Sequence, residues 1–207
     1  MRRFTMPVFI ALAAFIWASP SLALEFKRCQ ISFEASSIDA ECGTLTRPEN
    51  PAKPNGKQID LFVAKLAAKT VDPAPDAFTL IQGGPGGSSV DMAIGFRQVL
   101  DMIRSERDVI IMDQRGTGRS NKLACDTDPE PSSFDLGKIA ETTLTCRAKL
   151  AENDLTAYTT SVAVQDLEAL RLAAGYQQLS IYGVSYGTRV AQHYPVSYTH
   201  LTLPTKA

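Results

Sequence analysis

Leu179-Ser180-Ile181-Tyr182-Gly183-Val184-Ser185-Tyr186-Gly187 carries a short apolar run into a G-x-S-x-G turn. Leu179 to Tyr182 reads as a buried strand, and the residues after the turn read as the start of a helix. In that setting the spacing has a physical purpose. A sharp strand-to-helix turn lifts the serine hydroxyl clear of the backbone, and the flanking glycines let strand and helix approach. The helix N-terminus beneath it favours developing negative charge. Ser185 is therefore the candidate nucleophile. Without the strand–turn–helix context, the same five residues would read as a tight structural turn that happens to hold a serine.

Acyl transfer also needs two backbone N–H groups aimed at the oxyanion. One is expected from Tyr186, the residue after the nucleophile. The other should come from a loop after an earlier strand, and Phe78 to Gln82 reads as such a strand, entering Gly83-Gly84-Pro85-Gly86-Gly87-Ser88. The second donor is assigned to Gly84. The competing readings are a flexible linker and a phosphate-binding loop; the second is disfavoured because no Gly-Lys-Ser/Thr ending follows.

The rest of the chain supplies a scaffold. Glu41 to Leu45 and Gln58 to Leu66 read as extended, joined by turn chemistry at Arg47-Pro48-Glu49-Asn50-Pro51 and Pro54-Asn55-Gly56, so an early antiparallel hairpin is expected. A helix is expected over Ser89 to Met102. Asp108 to Met112 reads as a short apolar run, Val-Ile-Ile-Met, as expected of a strand buried on both faces, and it ends in the glycine-punctuated loop Asp113 to Ser120. Residues 121–137 read as a surface excursion. Ser161 to Ala174 is helical, with Val164, Leu167, Leu170 and Ala174 at three- and four-residue steps and Gly175 as its stop. Strands alternating with helices point to an α/β sheet.

Gln82 to Gly86, Asp113 to Ser120 and Gly183 to Arg189 together resemble the proline iminopeptidase and tripeptidyl aminopeptidase family, as do Cys42 to Thr46 and Tyr158-Thr159-Thr160. The resemblance runs from Cys29 to Tyr194. It implies an α/β-hydrolase fold and removal of residues from peptide N-termini. Many members of that family carry His where this chain has Gln82, a change that alters a side-chain contact beside the oxyanion loop without removing its backbone donors. In α/β-hydrolases the triad order is serine, acid, histidine. Asp113 precedes Ser185 and so reads as a loop organiser, paired with Arg115 or with nearby backbone N–H groups.

No Asp or Glu follows Ser185. His193 lies eight positions on, roughly 12 Å along a helix axis, and reads as a helix-surface or core residue. His200 leaves no room for the strands that normally deliver acid and base. Val196 to Thr205 breaks the helical pattern after Tyr194 and resembles the translated end of a transposon-derived sequencing adapter. Residues 196–207 are accordingly read as a non-native tail. Residues 24–195 are read as the N-terminal part of the hydrolase core only, with the cap and C-terminal strands missing. Such a fragment leaves its last strand as an open edge and is expected to be poorly soluble and without turnover.

Arg2 and Arg3, the apolar stretch Val8 to Trp17 and small residues at Ser21 and Ala23 read as a signal peptide over 1–23, too short to be an ordinary membrane span. Export to the periplasm or medium makes the cysteines interpretable. Cys29, Cys42, Cys125 and Cys146 permit three pairings; the simplest is local, Cys29 with Cys42 and Cys125 with Cys146. No CxxC spacing supports a metal. A net charge of −1 over 207 residues implies no single-sign field for nucleic acid. The expected partner is a peptide, with no cofactor and no membrane after signal cleavage. The leading activity is an exported serine exopeptidase. A carboxylic-ester hydrolase uses the same equipment, and a non-catalytic binding protein on a hydrolase scaffold is the third reading.

Overall fold

The computed structural model describes residues 23–125 and 136–198. The expected signal peptide through residue 22, the middle of the expected excursion and the end of the expected tail lie outside them. Six strands form one mixed sheet: β1 (Lys27–Phe33), β2 (Ser36–Pro48), β3 (Gln58–Leu66), β4 (Asp76–Ile81), β5 (Val109–Met112) and β6 (Gln178–Gly183). Their order across the sheet is β1-β2-β3-β5-β4-β6. The first three and the β3–β5 pair are antiparallel, whereas β5, β4 and β6 run parallel. This is the α/β-hydrolase architecture expected from the sequence, with β6 at one edge.

Pleating divides the core. Ile110 and Met112 point to one face and Val109 and Ile111 to the other, so the four-residue strand serves two cores at once. On the first face α4 (Thr160–Ala173) and α5 (Tyr186–Ser197) bring Val164, Leu167, Leu170, Val190 and Tyr194. On the second, α1 (Ser89–Gly95) and α2 (Arg97–Ile103) bring Val90, Ala93, Ile94 and Leu100. Thr159 caps α4 by accepting from the Val162 amide at 3.4 Å, and Gly175 follows its end at φ 79°.

Three expectations change. The leading element is a three-stranded meander: the expected hairpin forms, with Leu45 opposite Leu61, but β2 begins at Ser36 and pairs with β1 as well. The single helix from Ser89 to Met102 is two, broken at Phe96, whose φ and ψ of −92° and 10° leave the helical region just after Gly95. The last helix does not stop at Tyr194. It runs through Pro195 to Ser197, because a proline in the last turn loses only one backbone bond and the Tyr198 amide still reaches the Tyr194 carbonyl at 3.0 Å.

Both disulfides are the local ones. Cys29–Cys42 braces β1 against β2, with Cα atoms 5.8 Å apart. Cys125–Cys146 tethers α3 (Leu136–Lys149), a helix with no buried residue, at a Cα separation of 5.5 Å.

A buried ion-pair network holds the loop after β5. Arg115 grips Asp166 of α4 with two bonds, 2.6 and 2.8 Å, and donates to the Glu49 and Ala157 carbonyls. Arg47 reaches the same carboxylate at 3.3 Å. The Glu49 carboxylate accepts from the Tyr158 hydroxyl at 2.8 Å and from Lys57 at 3.2 Å. Burial works to raise the Glu49 carboxyl, but Tyr158, a backbone bond at Asp154 and Lys57 together hold it below its ordinary value. Removing one partner from such a pair strands a buried charge. Arg115→Met is therefore expected to lower the unfolding free energy by about 3–5 kcal/mol in urea denaturation. In wild type the Glu49 contribution is complete above the unfolded carboxyl value of about 4.3. It is lost as the pH falls through the lower folded value, so the Glu49 contribution to stability should decline on the acid side, read by urea denaturation against pH.

Candidate active site

Ser185 heads α5 with φ 51° and ψ −120°, a left-handed backbone that a side chain adopts only under constraint, and it is exposed. The constraint is visible on both sides. The Val184 amide donates to the Ile81 carbonyl at 3.0 Å, extending the β4–β6 ladder past the end of the strands. A Cβ on Gly187 would lie 2.2 Å from that same carbonyl oxygen, and one on Gly183 would lie 2.4 Å from the Gly187 oxygen. The turn closes only because neither residue has a side chain.

The loop after β4 meets this turn directly. A Cβ on Gly83 would fall 2.6 Å from the Ser185 Cβ and 2.9 Å from the Tyr186 nitrogen. Gln82 organises the approach in a way the sequence did not disclose. Its Oε1 accepts the Gly83 amide at 2.8 Å, its own amide donates to Ser89 Oγ at 3.1 Å, and its carbonyl accepts from Gln114 at 3.3 Å. The Gly87 amide closes the loop onto the Gly83 carbonyl at 3.0 Å. Gly84 is exposed at φ 116°, and the Gly84–Pro85 peptide is cis. Among the described residues neither the Gly84 nor the Tyr186 amide meets an acceptor.

Asp113 fixes the other side of the loop. Buried completely, it accepts from Ser88 Oγ at 2.8 Å, the Val90 amide at 3.0 Å and the Arg119 amide at 2.9 Å. Of the two partners foreseen for it, the backbone amides are the ones it takes, since Arg115 is committed to Asp166. Gly118 presses against it so closely that a Cβ there would lie 2.1 Å from Oδ2. Ser88 also caps α1 through the Asp91 amide at 3.0 Å. The capping role could have been read from a serine placed just before an apolar-periodic stretch.

The remaining side chains near Ser185 serve position. The Tyr186 hydroxyl bonds Thr160 Oγ1 at 2.6 Å, tying the turn to α4. His193 Nε2 lies 3.2 Å from Ser161 Oγ, a helix-to-helix contact in keeping with its reading as a helix-surface residue. Among the described residues no group of three or more His, Cys, Asp or Glu is placed to hold a metal, and no helix is long and apolar enough to cross a membrane.

Residues 76–204 match the family described as alpha/beta hydrolase fold. Tripeptidyl aminopeptidase of Streptomyces lividans is 31% identical over 174 residues, which cover 74% of this chain and 32% of that protein. Serine protease Hip1 of Mycobacterium tuberculosis is 30% identical over 198 residues, covering 86% of this chain and 38% of that one. Among solved structures, proline iminopeptidase of Mycobacterium smegmatis superposes with a TM-score of 0.45 at 18% identity, over 75% of this chain and 40% of that chain. The chain thus spans a little over a third, at most, of these curated relatives.

The close approach at Gly187 yields a direct prediction. Gly187→Ala must displace the Ile81 carbonyl or the turn itself, and a loss of about 1–3 kcal/mol in thermal unfolding is expected. The matching change at exposed Gly95, where a Cβ meets nothing within 4 Å, should be neutral or slightly stabilising.

Proposed function

The chain belongs to the α/β-hydrolase family, and from that premise we propose that it is the nucleophile-bearing part of an exported serine exopeptidase. The observation that carries this reading is Ser185 on left-handed backbone beside two amides, Gly84 and Tyr186, that have no acceptor among the described residues. Ser185 Oγ attacks the scissile carbonyl of a peptide. The oxyanion that forms takes hydrogen bonds from the Gly84 and Tyr186 N–H groups, held ready by the Gln82 contacts and by the dipole of α5. A histidine accepts the serine proton and passes it to the leaving amine, oriented by an aspartate.

Those last two residues are assigned to polypeptide of the complete gene product beyond this chain. No Asp or Glu follows Ser185 in the sequence, and His193 is engaged with Ser161 on α4. Residues 196–207 are accordingly proposed as non-native and residues 1–23 as a signal peptide. Export is supported by the two disulfides, which form and persist in oxidising compartments. Peptides rather than esters are favoured as substrates because the relatives of 30% identity or more carry the names aminopeptidase and serine protease.

The test uses the complete gene product. A fluorophosphonate should label wild type at Ser185 and leave Ser185→Ala unlabelled, and the substitution should reduce kcat on the order of 10^4-fold or more. Prolyl and tripeptidyl amides should be turned over in preference to short-chain esters. Preference for the esters would assign an esterase. Absence of label on a folded, complete protein would assign a binding role on a hydrolase scaffold.

A further inference from the structure

Tyr158-Thr159-Thr160 and Thr188 belong to the stretches that carry the family resemblance, yet the chemistry proposed above uses none of them. The structure gives each of their hydroxyls a partner. Tyr158 donates to the Glu49 carboxylate at 2.8 Å, and Thr159 caps α4. Thr160 Oγ1 meets the Tyr186 hydroxyl at 2.6 Å, and Thr188 Oγ1 donates to the Ser185 carbonyl at 2.6 Å. The last two contacts converge on one peptide unit.

The Ser185–Tyr186 peptide is planar and trans, so its carbonyl and its N–H point in opposite directions. Whatever holds the Ser185 carbonyl therefore aims the Tyr186 N–H, the candidate oxyanion donor. Two groups of Thr188 hold it, the amide at 3.0 Å and the hydroxyl at 2.6 Å. The torsion that would swing this plane is ψ of Ser185, which stands at −120° beside a φ of 51°. Backbone of that kind persists only where its surroundings over-determine it. A threonine hydroxyl turned back onto its own helix is common. Here it lands on the carbonyl whose companion N–H meets no acceptor among the described residues, whereas the next amide, Gly187, is taken by Val184 at 2.8 Å. The hydroxyl also polarises the peptide and so strengthens its N–H as a donor.

Thr160 acts on the other side of the same unit. Tyr186 is half-buried and packs against the core that α4 and α5 cover. Its hydroxyl is fixed to the first residue of α4, a helix itself held by Asp166 in the Arg115 network. The ring cannot swing without breaking that bond, and the Tyr186 backbone is restrained with it.

We propose that Thr188 and Thr160 are positioning residues that aim the Tyr186 N–H at the oxyanion. Thr188 holds the carbonyl of the same peptide, and Thr160 holds the Tyr186 side chain. The proposal rests on Ser185 being the nucleophile. Both threonines act through an interaction that strengthens as the oxyanion forms, so their loss falls on kcat and spares KM.

The test uses the complete gene product carrying Thr188→Val or Thr160→Val, which keep the branched shape and remove the hydroxyl. Loss of a whole oxyanion donor costs about 10²–10³ in kcat, and misaiming one should cost about 10-fold or more. KM should stay within about two-fold, and fluorophosphonate labelling of Ser185 should slow in parallel with kcat. Thr188→Ser and Thr160→Ser return a hydroxyl and should recover most of the loss, which packing alone would not do. Ser161→Ala, next to Thr160 on α4 but bonded to His193, should leave kcat as it is. Crystal structures of the two Val variants supply a readout that needs no turnover: ψ of Ser185 should leave −120° by more than the ordinary scatter of about 15–20°. If wild type takes no label but ψ moves in both Val variants, the hydrolase reading fails and the aiming of the peptide stands. An unchanged ψ in either Val variant overturns the proposal. So does, in a labelled enzyme, an unchanged kcat, a loss carried by KM, or a loss that the matching Ser variant does not restore.

Discussion

The parallel pairing of β4 with β6 is the constraint from which the site follows. Because Ile81 lies opposite Gly183, the two strands end abreast, and the loops that leave them are forced into the same few ångströms. The ladder continues one bond further through Val184, so the serine turn is anchored to the strand that feeds the glycine loop. Gly83, Gly183 and Gly187 are the positions where this crowding is absorbed, since a Cβ at each would lie within 3 Å of backbone or of Ser185. A nucleophile and two free amides then fall together without long side chains having to be steered into place. Their relative position is a property of backbone, which side-chain motion does not disturb.

Much of this was legible because its determinants are local. Val109 to Met112 could be read as doubly buried, and its residues do divide between both cores. The glycine turn, the glycine loop and the serine between strand and helix are contiguous motifs whose chemistry needs no long-range information. The local cysteine pairing was the simplest of three, and it is the one that forms. Where reading fell short, a weaker local signal was present. In β1, Cys29, Ile31 and Phe33 alternate with Arg28, Gln30 and Ser32, a period-2 pattern shortened by flanking charges. The break in the helix after Gly95 falls at Phe96, where φ −92° and ψ 10° leave the helical region and no proline marks the position in the sequence.

The interactions that stayed hidden join residues far apart in sequence. Arg115 and Asp166 are 51 positions apart, and Glu49 and Tyr158 are 109 apart. No periodicity marks either as buried, and charged residues are seldom buried unless paired. Their network connects the end of β2, the loop after β5 and α4, which is the platform on which the Asp113 loop stands. Gln82 was likewise visible only as a departure from the resembling family. That its amide side chain occupies the Gly83 N–H, leaving Gly84 free, emerges from geometry.

The tethered helix α3 has an evolutionary corollary. None of its residues is buried, and the bond between Cys125 and Cys146 joins it to the segment that leaves the Asp113 loop. Substitutions at its exposed positions leave both cores untouched, so drift there escapes the penalties that police buried residues. A lineage could lengthen, shorten or recolour this surface while Ser185 and its surrounding backbone stayed as they are. The covalent link holds such variation to the segment that follows the Asp113 loop.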